Sequence, residues 1–162
     1  MYGRYTYPYN QNAIAHFEQA LEIDPNFGLA LAGLSDALVQ EAFYWSGKRQ
    51  VDALRFAKRA VELEPIRVES HRALGKALSI NGREEEALVA FRQALDLDPA
   101  DWRSALQSAN LHFKRLEFDE AEAQYLDALS LAPHLDTAMS NLGYLYLKTG
   151  RADDARIWFE RA

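Results

Sequence analysis

The sequence contains no cysteine. That excludes disulfides and thiolate-bound metals, and with them any clue to redox compartment. No apolar run reaches the roughly 20 residues that a membrane-spanning helix requires. The first ten residues are polar, carry Tyr2, Tyr5, Tyr7 and Tyr9, and lack the apolar stretch of a secretory signal. Together these absences predict a cytoplasmic protein with no membrane partner. Basic residues are in deficit too: 18 Lys and Arg against 24 Asp and Glu give a formal net charge of −6. Nucleic acid needs a dominant basic face, so it is excluded as the main partner. The four histidines, His16, His71, His112 and His134, include no i, i+4 pair with a third ligand, and no metal site is expected. Neither a glycine-rich phosphate loop nor a nucleophile elbow is present. No catalytic residue and no cofactor are predicted.

Proline is scarce, with five in 162 residues, but three of the five are periodic. Pro65, Pro99 and Pro133 fall at a fixed interval of 34 residues. Ala53, Ala87 and Ala121 precede them at one constant offset, and Ala60, Ala94 and Ala128 at another. A 34-residue period marks an array of helical hairpins. Within Val68–Asp101, His71, Leu74, Gly75 and Leu78 line one helical face. Asn81-Gly82-Arg83 then breaks the pattern, with Gly82 suited to a left-handed helix closure. Glu84, Glu85 and Glu86 favour the start of a second helix, Ala87, Phe91 and Ala94 line its face, and Pro99 ends it. Small residues at the crossings let helix axes approach closely.

The period divides the chain into a tyrosine-rich segment, 1–12, and an array, 13–162. The array comprises an orphan second helix (13–25), repeats at about 28–67, 68–101 and 102–135, and a truncated repeat, 136–162. About nine helices are expected. The first complete repeat is six residues too long, and the surplus at Glu41–Gly47 reads as an extension of its first helix. In 102–135, Asp101 is placed as an N-cap, while the turn Lys114-Arg115-Leu116-Glu117 lacks the usual glycine. His71 and His112 take packing positions and read as core residues with a polar edge.

This pattern of large, small and proline positions, from about Ala13 to Ala162, resembles the tetratricopeptide repeat family. The departures are Ala57 in place of an aromatic, the insertion, and histidines at two packing positions. The resemblance implies an all-α, right-handed superhelix of antiparallel helix pairs that acts as a non-catalytic scaffold and binds a peptide or protein on its concave wall. Family positions for that wall fall on Leu29, Ala32, Asp36 and Val39, then Glu69, Arg72, Lys76 and Ser79. They continue through Arg103, Gln107, Asn110 and Lys114 to Thr137, Asn141, Tyr144 and Lys148. Five of these are cations and two are anions, which suits an acidic or carboxylate-bearing peptide. Arg72, Lys76, Gln107 and Asn141 fall near the family's carboxylate clamp, but Thr137 stands where a lysine is usual, so the clamp is incomplete.

Gly3-Arg4-Tyr5 followed by Phe17–Pro25 also resembles bacterial tetratricopeptide tracts attached to signalling domains. That implies an alternative role as a regulatory segment behind a winged-helix or nucleotide-cyclase domain. Two faces lack a neighbour in the pattern: Ala13, Phe17 and Leu21 at the start, and Ile157, Trp158 and Phe159 at the end. They predict either a fragment of a longer protein or end-to-end self-association, with the tyrosine-rich start folded over the orphan helix as a lid.

Overall fold

The computed structural model describes residues 7–45 and 48–162, and every regular element among them is an α-helix. In chain order these are α1 (Tyr7–Ile23), α2 (Gly28–Trp45), α3 (Gln50–Leu63), α4 (Val68–Ile80) and α5 (Glu84–Leu97). They continue with α6 (Trp102–Lys114), α7 (Phe118–Leu131), α8 (Asp136–Lys148) and α9 (Ala152–Arg161). Tyr2, Gly3-Arg4-Tyr5, Ser46 and Gly47 lie outside the described residues.

Two kinds of turn alternate, each set by local chemistry. After α1, α3, α5 and α7, a proline occupies the second position of a tight turn. The backbone N–H groups of Phe27, Arg67, Asp101 and Leu135 donate to the carbonyls of Asp24, Glu64, Asp98 and Ala132 at 3.0–3.2 Å. Proline's fixed φ suits that position and its missing N–H is not needed there. After α4, α6 and α8 the helix closes with paired backbone bonds. Arg83, Glu117 and Arg151 donate to the carbonyls five residues earlier, on Leu78, His112 and Tyr146, at 3.0, 3.0 and 2.8 Å. This closure needs a left-handed residue at its corner. Gly82 (φ 74°) and Gly150 (φ 78°) supply it, and in the turn without glycine Leu116 adopts φ 64°.

A left-handed non-glycine residue is strained. Leu116 is 70% exposed, so its side chain contributes little packing in return. Leu116→Gly is therefore expected to stabilise the chain by about 0.5–1 kcal/mol, the relieved strain being partly offset by glycine's greater unfolded-state entropy. A higher denaturant midpoint at unchanged slope is the expected result.

The chain packs as two units, one ending at Leu97 and the other running from Asp98 to Ala162. In the first, α2 is central: α1, α3 and α4 pack on it, and α5 pairs with α4. In the second, hairpins α6–α7 and α8–α9 are joined by packing of α7 on α8. The recurring alanines sit at the crossings, and Ala53, Ala60, Ala87, Ala94, Ala121, Ala128 and Ala155 are at most 1% exposed. Close approach to an aromatic ring requires glycine within the hairpins at two positions. A Cβ on Gly75 would lie 2.5 Å from the Phe91 ring, and one on Gly143 would lie 2.7 Å from the Phe159 ring.

Three features differ from the sequence reading. First, α1 begins at Tyr7, so the boundary at residues 12 and 13 falls inside a helix. Pro8 is accommodated in its first turn, where an N–H would have no helical acceptor. Tyr7 and Tyr9 thus belong to that helix and do not form a lid over it, and Tyr7 meets Trp45 edge-on at 5.6 Å. Second, Ala32 and Val39 are buried (3% and 9% exposed) and do not line an open wall, because α2 is packed from several sides. Third, Phe159 is seated over Gly143 and meets Tyr144 edge-on at 5.2 Å, although it stays 37% exposed, so it has partners within its own hairpin. As far as Trp45 the inserted segment continues the first helix, and α2 has 18 residues against 13 in α4, α6 and α8, while Ser46 and Gly47 lie outside the described residues.

Candidate functional site

In the second unit, Arg103, Gln107, Asn110 and Lys114 recur along α6 at intervals of three and four, as do Thr137, Asn141, Tyr144 and Lys148 along α8. That spacing sets each group on one helical face. At its centre, Asn110 Oδ1 accepts two hydrogen bonds, from the Tyr125 hydroxyl of α7 and from Asn141 Nδ2 of α8, both at 2.8 Å. A buried phenol beneath thus fixes the two asparagines in register. Tyr125 is 1% exposed, and burial raises its pKa well above the usual tyrosine range, so it remains a donor at neutral pH. Both bonds fall on Asn110 Oδ1 and do not use its amide nitrogen.

Around this clasp, the Arg103 guanidinium lies over the Trp102 ring at 4.4 Å, which holds an exposed cation in a defined place. Tyr144 is 57% exposed and braced edge-on by Phe159. Lys114 and Lys148 are exposed and sit in the last turns of α6 and α8, where the macrodipole favours cations. None of the eight positions carries a carboxylate. By contrast α7 bears Asp119, Glu120, Glu122 and Asp127 and no base.

A separate network ties α7 to the last hairpin. Tyr146 donates to Glu122 Oε1 at 2.7 Å, and Arg151 bonds both Glu122 oxygens (3.0 and 2.9 Å) while lying over the Tyr146 ring at 4.1 Å. Burial first, and then the Glu122 carboxylate, push Tyr146 up to about 12.

In the first unit the expected basic positions are placed differently. Lys76 Nζ bonds Asp36 Oδ2 at 2.9 Å, so one cation and one anion of the predicted strip neutralise each other. Arg72 and Glu69 are half-buried on α4. The histidines act as packing residues with a polar edge: His71 Nε2 donates to the Pro65 carbonyl at 2.8 Å, and His112 Nδ1 bonds Glu117 at 2.6 Å. Among the described residues no three His, Asp or Glu side chains group as metal ligands, and no helix is long and apolar enough to cross a membrane.

The clasp was not anticipated from sequence. Its signal is a single hydroxyl: Tyr125 stands at the repeat position that is Phe91 and Phe159 elsewhere, in the one repeat whose first helix offers Asn110.

Comparison with known proteins bears on the same elements. Tetratricopeptide repeat models match residues 9–27, 68–101 and 106–162, which cover parts of both units. The chain belongs to the tetratricopeptide repeat family. Anaphase-promoting complex subunit 3 of Schizosaccharomyces pombe is 26% identical over 134 residues, covering 83% of this chain and 20% of that protein. This tetratricopeptide chain thus spans about a fifth of the length of the curated relatives it first matches. Among solved structures, the tetratricopeptide protein TTC0263 of Thermus thermophilus superposes with a TM-score of 0.82 at 25% identity, covering 96% of this chain and 82% of that one. YrrB, described as a tetratricopeptide protein with an unusual peptide-binding site, superposes at 0.66 and 20% identity over 94% and 75% of the two chains.

Proposed function

We propose that this tetratricopeptide chain is a protein-interaction module and that its α6–α8 face holds an acidic segment of the partner. The observation that carries the reading is the composition of that face. Arg103, Lys114 and Lys148 surround amide donors, no carboxylate interrupts them, and the protein is otherwise acidic. Fixed donors and cations favour an extended chain bearing carboxylates, with the amides meeting its backbone. The Asn110–Tyr125–Asn141 clasp orders the central donors before the partner arrives, which reduces the entropic cost of binding. A tetratricopeptide neighbour with a peptide-binding site and a relative that is a subunit of a complex are in keeping with such a role.

The test is calorimetric titration with a short capped glutamate-rich peptide. Arg103→Glu combined with Lys148→Glu is expected to weaken binding more than about tenfold while helical content stays constant. Affinity should also fall steeply with added salt. Equal affinity in the doubly reversed variant removes the reading.

Ile157, 42% exposed on α9, favours one further contact, the covering of that helix by another copy or by another segment.

A further inference from the structure

In the first unit, a recess of about 300 Å³ opens between α1 and α2, lined chiefly by Tyr9, Asn10, Phe17, Gly33, Asp36 and Gln40. Its openness follows from the repeat pattern. Ala13, Phe17 and Ala20 hold the positions of Ala87, Phe91 and Ala94. The latter three are almost wholly buried under their own first helix, whereas Ala13, Phe17 and Ala20 are only half-buried.

The polar atoms of this recess are unevenly satisfied. Asp36 Oδ2 accepts from Lys76 at 2.9 Å, but Asp36 Oδ1 is buried with no hydrogen-bond partner among the described residues. A buried carboxylate oxygen without a donor is unfavourable, and a ligand whose binding turns the Asp36 carboxylate toward a donor gains accordingly. Asn10, 6% exposed, donates its Nδ2 to the Ala37 carbonyl at 3.1 Å, which leaves its own carbonyl oxygen as a second acceptor. Phe17 and Tyr9 provide aromatic walls, and no basic side chain among the described residues lines the recess. Acceptors between aromatic rings, in a protein of net charge −6, match a flat, donor-rich cation.

We propose that this recess binds a guanidinium group, the side chain of an arginine in a partner segment. Guanidinium fits better than ammonium because it is planar, weakly hydrated, stacks on aromatic rings and directs several donors at once. Lys76 sets the limit on affinity, since it shares the Asp36 charge and repels a second cation. The site is independent of the α6–α8 face and selects the opposite charge.

The experiment is a titration of the whole chain with N-acetyl-arginine methylamide, read from the amide resonances of Gly33 and Ala37. Saturable shifts are expected there, and the citrulline counterpart, equal in shape but uncharged, should bind about tenfold more weakly. Asp36→Asn should lose a similar factor, whereas Lys76→Met should bind the arginine compound severalfold more tightly. The Lys76 variant decides the matter even if Asp36→Asn proves misfolded. Absence of a saturable shift, equal binding of the arginine and citrulline compounds, or weaker binding in Lys76→Met would overturn the proposal.

Discussion

Phe91→Ala is expected to destabilise the chain by about 3–5 kcal/mol. Phe91 is 1% exposed and its ring lies over Gly75, whose missing side chain makes room for it. Removing the ring loses its burial and also leaves a cavity that α4 and α5 cannot easily close, because Ala87 and Ala94 already set their spacing at the crossings. Restoring volume from the other side is a poor remedy. A side chain at Gly75 would have to fill the space of an aromatic ring from a helix position that elsewhere holds only small residues, Ser35, Ala109 and Gly143. Equilibrium denaturation reads the cost directly. A loss below about 1 kcal/mol would mean that the α4–α5 hairpin does not depend on this contact and that the repeat pattern has been misjudged.

The second large effect is expected at Tyr125. Tyr125→Ala should cost about 3–5 kcal/mol, through the cavity and the loss of a buried hydrogen bond together. Tyr125→Phe isolates the hydroxyl. It leaves the packing in place, as Phe91 and Phe159 show at the same repeat position, and should cost about 1 kcal/mol. Its larger consequence falls on recognition. With the hydroxyl gone, Asn110 keeps only its bond to Asn141 and the two amides lose their fixed orientation. Affinity for the glutamate-rich peptide should therefore drop several-fold, although Tyr125 is buried and never meets the ligand. If Tyr125→Phe binds as tightly as the parent protein, the clasp is structural only.

Much of this fold was legible because its causes are local and recur. A proline at the second position of each turn after α1, α3, α5 and α7, a left-handed corner closing α4, α6 and α8, and alanine at the crossings act within a few residues, and the 34-residue interval repeats them. The features that escaped have other origins. Pro8 reads as a helix breaker unless the helix start is already known, and α1 begins one residue before it. Leu116 occupies a glycine's backbone conformation because hydrogen bonds on either side impose it, not because leucine prefers it. Ala32 and Val39 match wall positions in the family pattern but are buried, since the long α2 is packed by α1 as well as by α3 and α4. The clasp requires side chains from three helices, and no spacing along one helix encodes it. Charge was the most misleading signal: Lys76 reads as a free cation of the strip, yet its partner lies on another helix, at Asp36.

Partner recognition on the first-helix face of the second unit is open to a direct test, the mapping of amide chemical-shift changes as the glutamate-rich peptide is added to the intact chain. Shifts are expected to concentrate on α6 and α8, around Arg103, Asn110, Asn141 and Tyr144, with the side-chain amides of both asparagines among the most perturbed. Shifts centred instead on the acidic α7 or on α9, or no saturable change at low salt, would contradict it.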